Sequence, residues 1–213
     1  MRYTKILFLI LFSILCILFV LILFPHPPMP PHYSYAVLIK GDCTDLELLV
    51  PMPMDNAGKS PIKEKFEIVK TIHGKMIKLN LIDDTCVQHK PNGSIYLILD
   101  DGLLDKNPDI YDPINNSIIL HPVDNITYVG LKNIFEHKEK QWHYETWVFR
   151  KADRNLTLSI EFYAHSKISF WQKLMNKLGL LSNIGNYRVI SKVNLPAGEG
   201  WVKVKVKVVS EIW

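Results

Sequence analysis

The stretch LTLSIEFYAH, residues 156–165, alternates without a break. In an extended chain successive side chains point to opposite faces, so Leu156, Leu158, Ile160, Phe162 and Ala164 share one side and Thr157, Ser159, Glu161, Tyr163 and His165 the other. A strand with one buried face and one wet face belongs to an antiparallel sheet. The segment before it, WHYETWVFRK (142–151), also reads as a strand, and ADRN (152–155) supplies a turn, so the pair is expected to form a hairpin.

The same period recurs through the chain. Segments 33–41, 46–55, 65–72, 75–82, 94–101, 117–123, 125–135, 187–196 and 201–213 are strand candidates as well. Their close spacing predicts a mainly β domain, an antiparallel sandwich or barrel-like fold over residues 33–213. Pro51 and Pro53 confine their segment to an edge or a strand end, because proline donates nothing to a ladder. In the last segment Val202, Val204, Val206 and Val208 alternate with Lys203, Lys205 and Lys207. Lysines there suit either an edge strand guarded against unwanted pairing or a basic strip for an anionic surface.

One helix is expected. Ser169 with Gln172 forms a capping box and Gly179 a stop, while Phe170, Trp171, Leu174, Met175 and Leu178 share one face. Such a helix covers an open end of the sheet, or dips its aromatics into a membrane interface beside Lys173 and Lys177.

The N-terminus carries a different signal. Residues 6–24 are 19 uncharged, mostly apolar residues, about 29 Å of helix and close to the thickness of a bilayer core. They end in LILFPHPP without the small-residue site of a cleaved signal peptide. Arg2 and Lys5 precede the run, and no further Lys or Arg follows until Lys40. The expected arrangement is a cytoplasmic tail at 1–5, a single-pass anchor at 6–24 in the cell membrane, a Pro-rich spacer at 25–32 and an extracytoplasmic β domain. The net charge is +4 (25 basic minus 21 acidic residues), and Arg2 and Lys5 account for two of these charges. That balance gives no nucleic-acid partner.

Outside the membrane, Cys43 and Cys86 are a natural disulfide pair, whose loop closure would stabilise the fold by about 4 kcal/mol. Asn92, Asn115, Asn125 and Asn155 head glycosylation sequons. In the spacer, polyproline II geometry lines His26, Met29 and His32 on one face, a copper-type set. Neighbours are about 9 Å apart, so the set could close on one ion only if the spacer bent.

Three other stretches carry residue types suited to chemistry. DNAGKSP (55–61) lacks the first glycine of a phosphate loop and has Pro61 where the helix should open. DKNPD (105–109) resembles the start of a calcium loop through Asp105 and Asp109, but Ile110 replaces the turn glycine and Asn116 the final glutamate. FEHKEKQWHYE (135–145) puts His143 and Glu145 on one strand face, where the expected hairpin would bring Glu161 across to them. An imidazole beside carboxylates suits a hydrolase. No nucleophile elbow accompanies it. The reading that absorbs most of these features is a binding or assembly module of the cell envelope, with an envelope protein, glycan or anionic surface as partner. An anchored hydrolase using His143 with Glu145 or Glu161 is the alternative, and a metal-handling spacer a second one.

Overall fold

The computed structural model describes residues 6, 10–16, 30–41, 46–62, 66–80, 87–89, 94–134, 137–165 and 185–212. The chain divides into two compact units, Met1–Met29 with Lys167–Leu181 and Pro30–Ser166 with Ser182–Trp213. In the first, residues 10–16 are helical, and their apolar side chains and Cys16 are exposed. Among the described residues no helix is long and apolar enough to cross a membrane. Most of the 6–24 run and all of the expected helix 169–178 lie outside those residues, as do His26, Met29, Cys43, Cys86 and Asn92.

The second unit is mainly β. Its strands are β1 (His32–Lys40), β2 (Glu47–Met54), β3 (Glu67–Thr71), β4 (Gly74–Asn80), β5 (Val87–His89), β6 (Ser94–Leu103), β7 (Ile119–His121), β8 (Asp124–Ile134), β9 (His137–Ala152), β10 (Leu156–His165), β11 (Gly185–Leu195) and β12 (Gly198–Ile212). They form one antiparallel sheet curled into a half-barrel, in the order β3-β4-β2-β9-β12-β11-β10-β1-β6-β5, with β7 on β2 and β8 on β9. One helical turn, Pro113–Asn116, interrupts them. Every segment read as a strand is one, and the short β5 is the addition.

The connections differ from the expected ones. β9 and β10 do not form a hairpin; β12 and β11 lie between them. Length accounts for this: β9 has 16 residues and β12 has 15, and they pair from Gly198↔Ala152 to Ile212↔Lys138, whereas the ten residues of β10 would leave a third of β9 unpaired. β12 is therefore interior, flanked by β9 and β11, and its lysines guard no edge. Pro51 and Pro53 sit where β2 has lost a neighbour. β2 has β4 on one side and β9 on the other only over Glu47–Leu49, and from Pro51 it pairs with β4 or β7 alone.

The core fills the inner face. Leu156, Leu158, Ile160, Phe162 and Ala164 are buried, as their alternation requires, together with Val204, Val206 and Val208. Four tyrosines in that core point their hydroxyls at backbone carbonyls of the segments that cover it. Tyr33 donates to Pro61 O at 2.8 Å, Tyr35 to Pro51 O at 2.7 Å, Tyr144 to Leu120 O at 2.9 Å and Tyr187 to Ile118 O at 2.7 Å. Burial pushes the hydroxyls of Tyr35, Tyr144 and Tyr187 well above the ordinary tyrosine range, so they remain donors.

Candidate functional site

The outer face of β9 and β12 carries the richest set of side chains. Register pairs His143 with Lys207, Glu145 with Lys205, Trp147 with Lys203 and Phe149 with Trp201. Alternation puts all eight on one face, because the residues between them, such as Tyr144, Val148, Val204 and Val206, are buried inside. The result is a two-strand ladder, cationic at one end and aromatic at the other.

Neighbouring elements complete each end. From β8, Asn125 Nδ2 donates to Glu145 Oε2 at 2.6 Å, and Asp124 Oδ2 accepts from Trp147 Nε1 at 3.1 Å. Lys203 Nζ lies 3.1 Å from Glu145 Oε2, 3.9 Å from Asp124 Oδ2 and 5.2 Å from the Trp147 ring centroid. At the aromatic end His73, from the β3–β4 turn, stacks on Trp147 at 4.2 Å and meets Trp201 edge-on at 4.6 Å, with Phe149 5.4 Å from Trp201. Among the described residues Lys205 and Lys207 have no ion-pair partner within 4.0 Å and are exposed. They are the free cations of the ladder.

Of the hydrolase candidates, His143 and Glu145 share a face as expected, whereas Glu161 lies on β10, three strand spacings from β9, or about 14 Å away along the sheet. Asn125 and Lys203 hold the Glu145 carboxyl below the usual carboxylate range, so it stays ionised and has no proton to give as an acid. A depression of about 430 Å³ among the described residues lies between Lys40, Asn155, Thr157 and Asn194, away from these groups.

The calcium candidates are engaged elsewhere. Asp105 pairs with Lys59 at 2.8 Å. Asp109 Oδ1 accepts from the backbone N–H of Tyr111 and Asp112, and Oδ2 from Asn116 Nδ2, at 2.9 to 3.1 Å. Burial alone would raise the Asp109 carboxyl, but those bonds outweigh it and hold it low. The 105–117 loop is thus pinned by its own backbone. In the rejected phosphate loop Asp55 Oδ1 likewise takes the N–H groups of Ala57 and Lys59. Of the copper set only His32 is described, and its Nε2 meets Asp101 Oδ1 at 2.9 Å. No group of three or more His, Cys, Asp or Glu suited to a metal occurs among the described residues.

Asn115, Asn125 and Asn155 are exposed, and Asn155 Oδ1 accepts from Ala197 N at 2.8 Å. The aromatic end is not legible in the sequence. Trp147 and Phe149 alternate visibly, but Trp201 and His73 join them only through the β9–β12 pairing and the β3–β4 turn.

Comparison of the chain with protein-family models, with curated proteins and with solved structures finds no match. Fold and site define an antiparallel half-barrel with a charged and aromatic outer face.

Proposed function

We propose that the chain is a membrane-anchored, extracytoplasmic binding or assembly module of the cell envelope, and that the β9–β12 ladder is its binding face for an anionic glycan. The carrying observation is the continuity of the partly exposed Phe149 and Trp201, beside Trp147 under His73, with the exposed Lys205 and Lys207 on one outer face. Flat rings offer apolar area to the faces of sugar rings, and free ammonium groups offer charge to carboxylates along the same polymer. An extended ligand needs an open strip, not a pocket, and the ladder is one. The uncharged 6–24 run with Arg2 and Lys5 before it supports the anchor and its orientation.

The test is binding of polygalacturonate, with dextran as the neutral control, followed by calorimetry across a salt series. Saturable binding to polygalacturonate is expected, weakening as salt rises. The double variant Lys205→Ala/Lys207→Ala should lose about tenfold in affinity and much of the salt dependence, and Trp201→Ala should lose affinity at all salt concentrations. Equal affinity for the two polymers, or binding that none of these changes moves, would refute the assignment.

A further inference from the structure

The register fixes which strand ends lie together. Leu103 of β6, His32 of β1, His165 of β10, Asn186 of β11, Glu211 of β12, Glu139 of β9 and Lys132 of β8 form one continuous row across the sheet. The chain running to the 6–24 segment leaves the sheet at this row, through Pro30 and Pro31 before His32. Residues 166–184 are inserted between His165 and Gly185, at the same row. Seven residues, 25–31, separate the apolar run from β1, and even fully stretched in polyproline II they would reach only about 22 Å.

The side chains of this end differ from those at the other. Leu103, Tyr111, Val129 and Leu131 are 60%, 41%, 52% and 51% exposed. Three lysines stand among them. Lys132 and Lys138 have no ion-pair partner within 4.0 Å among the described residues, and Lys140 Nζ lies 5.2 Å from the Tyr111 ring and donates to Tyr111 O at 3.3 Å. Of the acids at the same end, Asp101 meets His32, Glu211 meets Arg188, Asp105 meets Lys59, and Glu139, in the row itself, accepts from Gln141 Nε2. At the opposite end, the turns at 153–155 and 196–197 carry no exposed large hydrophobic side chain. Apolar and aromatic side chains interleaved with free lysines are what a headgroup region accepts, rings and aliphatics at the acyl boundary and ammonium groups at the phosphates.

We infer that this rim, centred on Leu131, Val129, Tyr111 and Leu103, docks on the outer surface of the bilayer that the 6–24 segment enters. The inference rests on the anchored reading proposed above. It sets the half-barrel upright on the membrane, with the 153–155 and 196–197 turns pointing away.

The experiment uses the full chain reconstituted in vesicles of phosphatidylcholine and phosphatidylglycerol, with the photo-crosslinker benzoylphenylalanine replacing Leu131, Val129 or Asp153 in three separate variants. Two rim positions guard against one variant that fails to fold. After a carbonate wash and irradiation, phospholipid adducts are expected from positions 131 and 129 at ten or more times the yield from 153. Retention in the vesicles with no such excess, or a crosslinked dimer through the β8 edge in place of lipid adducts, would overturn the docking and leave the anchor standing. Release of the chain by carbonate would overturn the anchor reading, and the docking with it.

Discussion

Replacing Tyr144 by Phe tests the account of how the half-barrel is held closed. Tyr144 is 1% exposed; its hydroxyl donates to Leu120 O at 2.9 Å and accepts from Leu120 N at 3.1 Å. Phe keeps the ring and its packing, so only these two bonds are lost. Both backbone groups of Leu120, itself fully buried, are then left without that partner, and each orphaned group costs about 1–3 kcal/mol. The sum is about 2–6 kcal/mol, a large share of the 5–15 kcal/mol that typically separates folded from unfolded states. Tyr187→Phe orphans one buried backbone group, Ile118 O, and loses a bond with the Ser117 side chain, so about 1–3 kcal/mol is expected there. Equilibrium urea unfolding of the purified protein gives both values from the midpoint and slope. A Tyr144→Phe change below 0.5 kcal/mol, or one smaller than that of Tyr187→Phe, would refute the claim that these hydroxyls fasten the covering strands.

Gly185→Ala should destabilise by about 1–3 kcal/mol or more, because an added Cβ would meet the Glu211 carbonyl oxygen and, at 2.9 Å, Ile110 Cδ1; thermal unfolding reads it directly, and an unchanged midpoint would mean that β11 and β12 are less closely apposed at that end. Burial lowers the His121 pKa from 6.5, so the neutral imidazole is favoured in the fold: stability is full above pH 6.5 and falls as pH drops below it, where the unfolded state takes up the proton first. Urea midpoints measured from pH 7 to pH 5 should therefore fall more steeply for the parent than for His121→Gln, and parallel curves would rule the effect out.

The strands were legible because each carries its own period. LTLSIEFYAH forms β10 without the shift of a residue, and the valine-lysine alternation of 202–208 sets its buried and exposed faces as expected. Pairing was not legible, because a strand's period says which face is buried and nothing about its neighbours. The short turn ADRN favoured a local hairpin, but the match between two strands of 16 and 15 residues is a long-range property that no local segment records. That one misassigned pairing misplaced the candidate site. It put Glu161 beside His143, where the sheet puts Lys207, and it moved the lysines from the sheet's middle to its edge. The aromatic end was hidden for the same reason, since His73, Trp147 and Trp201 come from three separate parts of the chain.

β9 ties the two proposed surfaces together. Glu139 lies in the rim row and His143 begins the ladder, four residues apart on one strand, or about 13 Å; Phe149 is six residues further. On the proposed orientation the cationic rungs, His143 with Lys207 and Glu145 with Lys205, stand nearer the bilayer and the aromatic rungs farther out. The ladder is two strands wide and four rungs long, so a glycan lying along it would run outward from the membrane and not across its surface. A strand long enough to carry both surfaces also separates them. Sites more than about 10 Å apart with no shared partners act nearly additively, so charge changes at Lys205 and Lys207 leave the docking rim intact. The unusual length of β9, which cost the expected hairpin, is thus the same property that would let one half-barrel carry the proposed docking rim at one end and the proposed binding strip farther along.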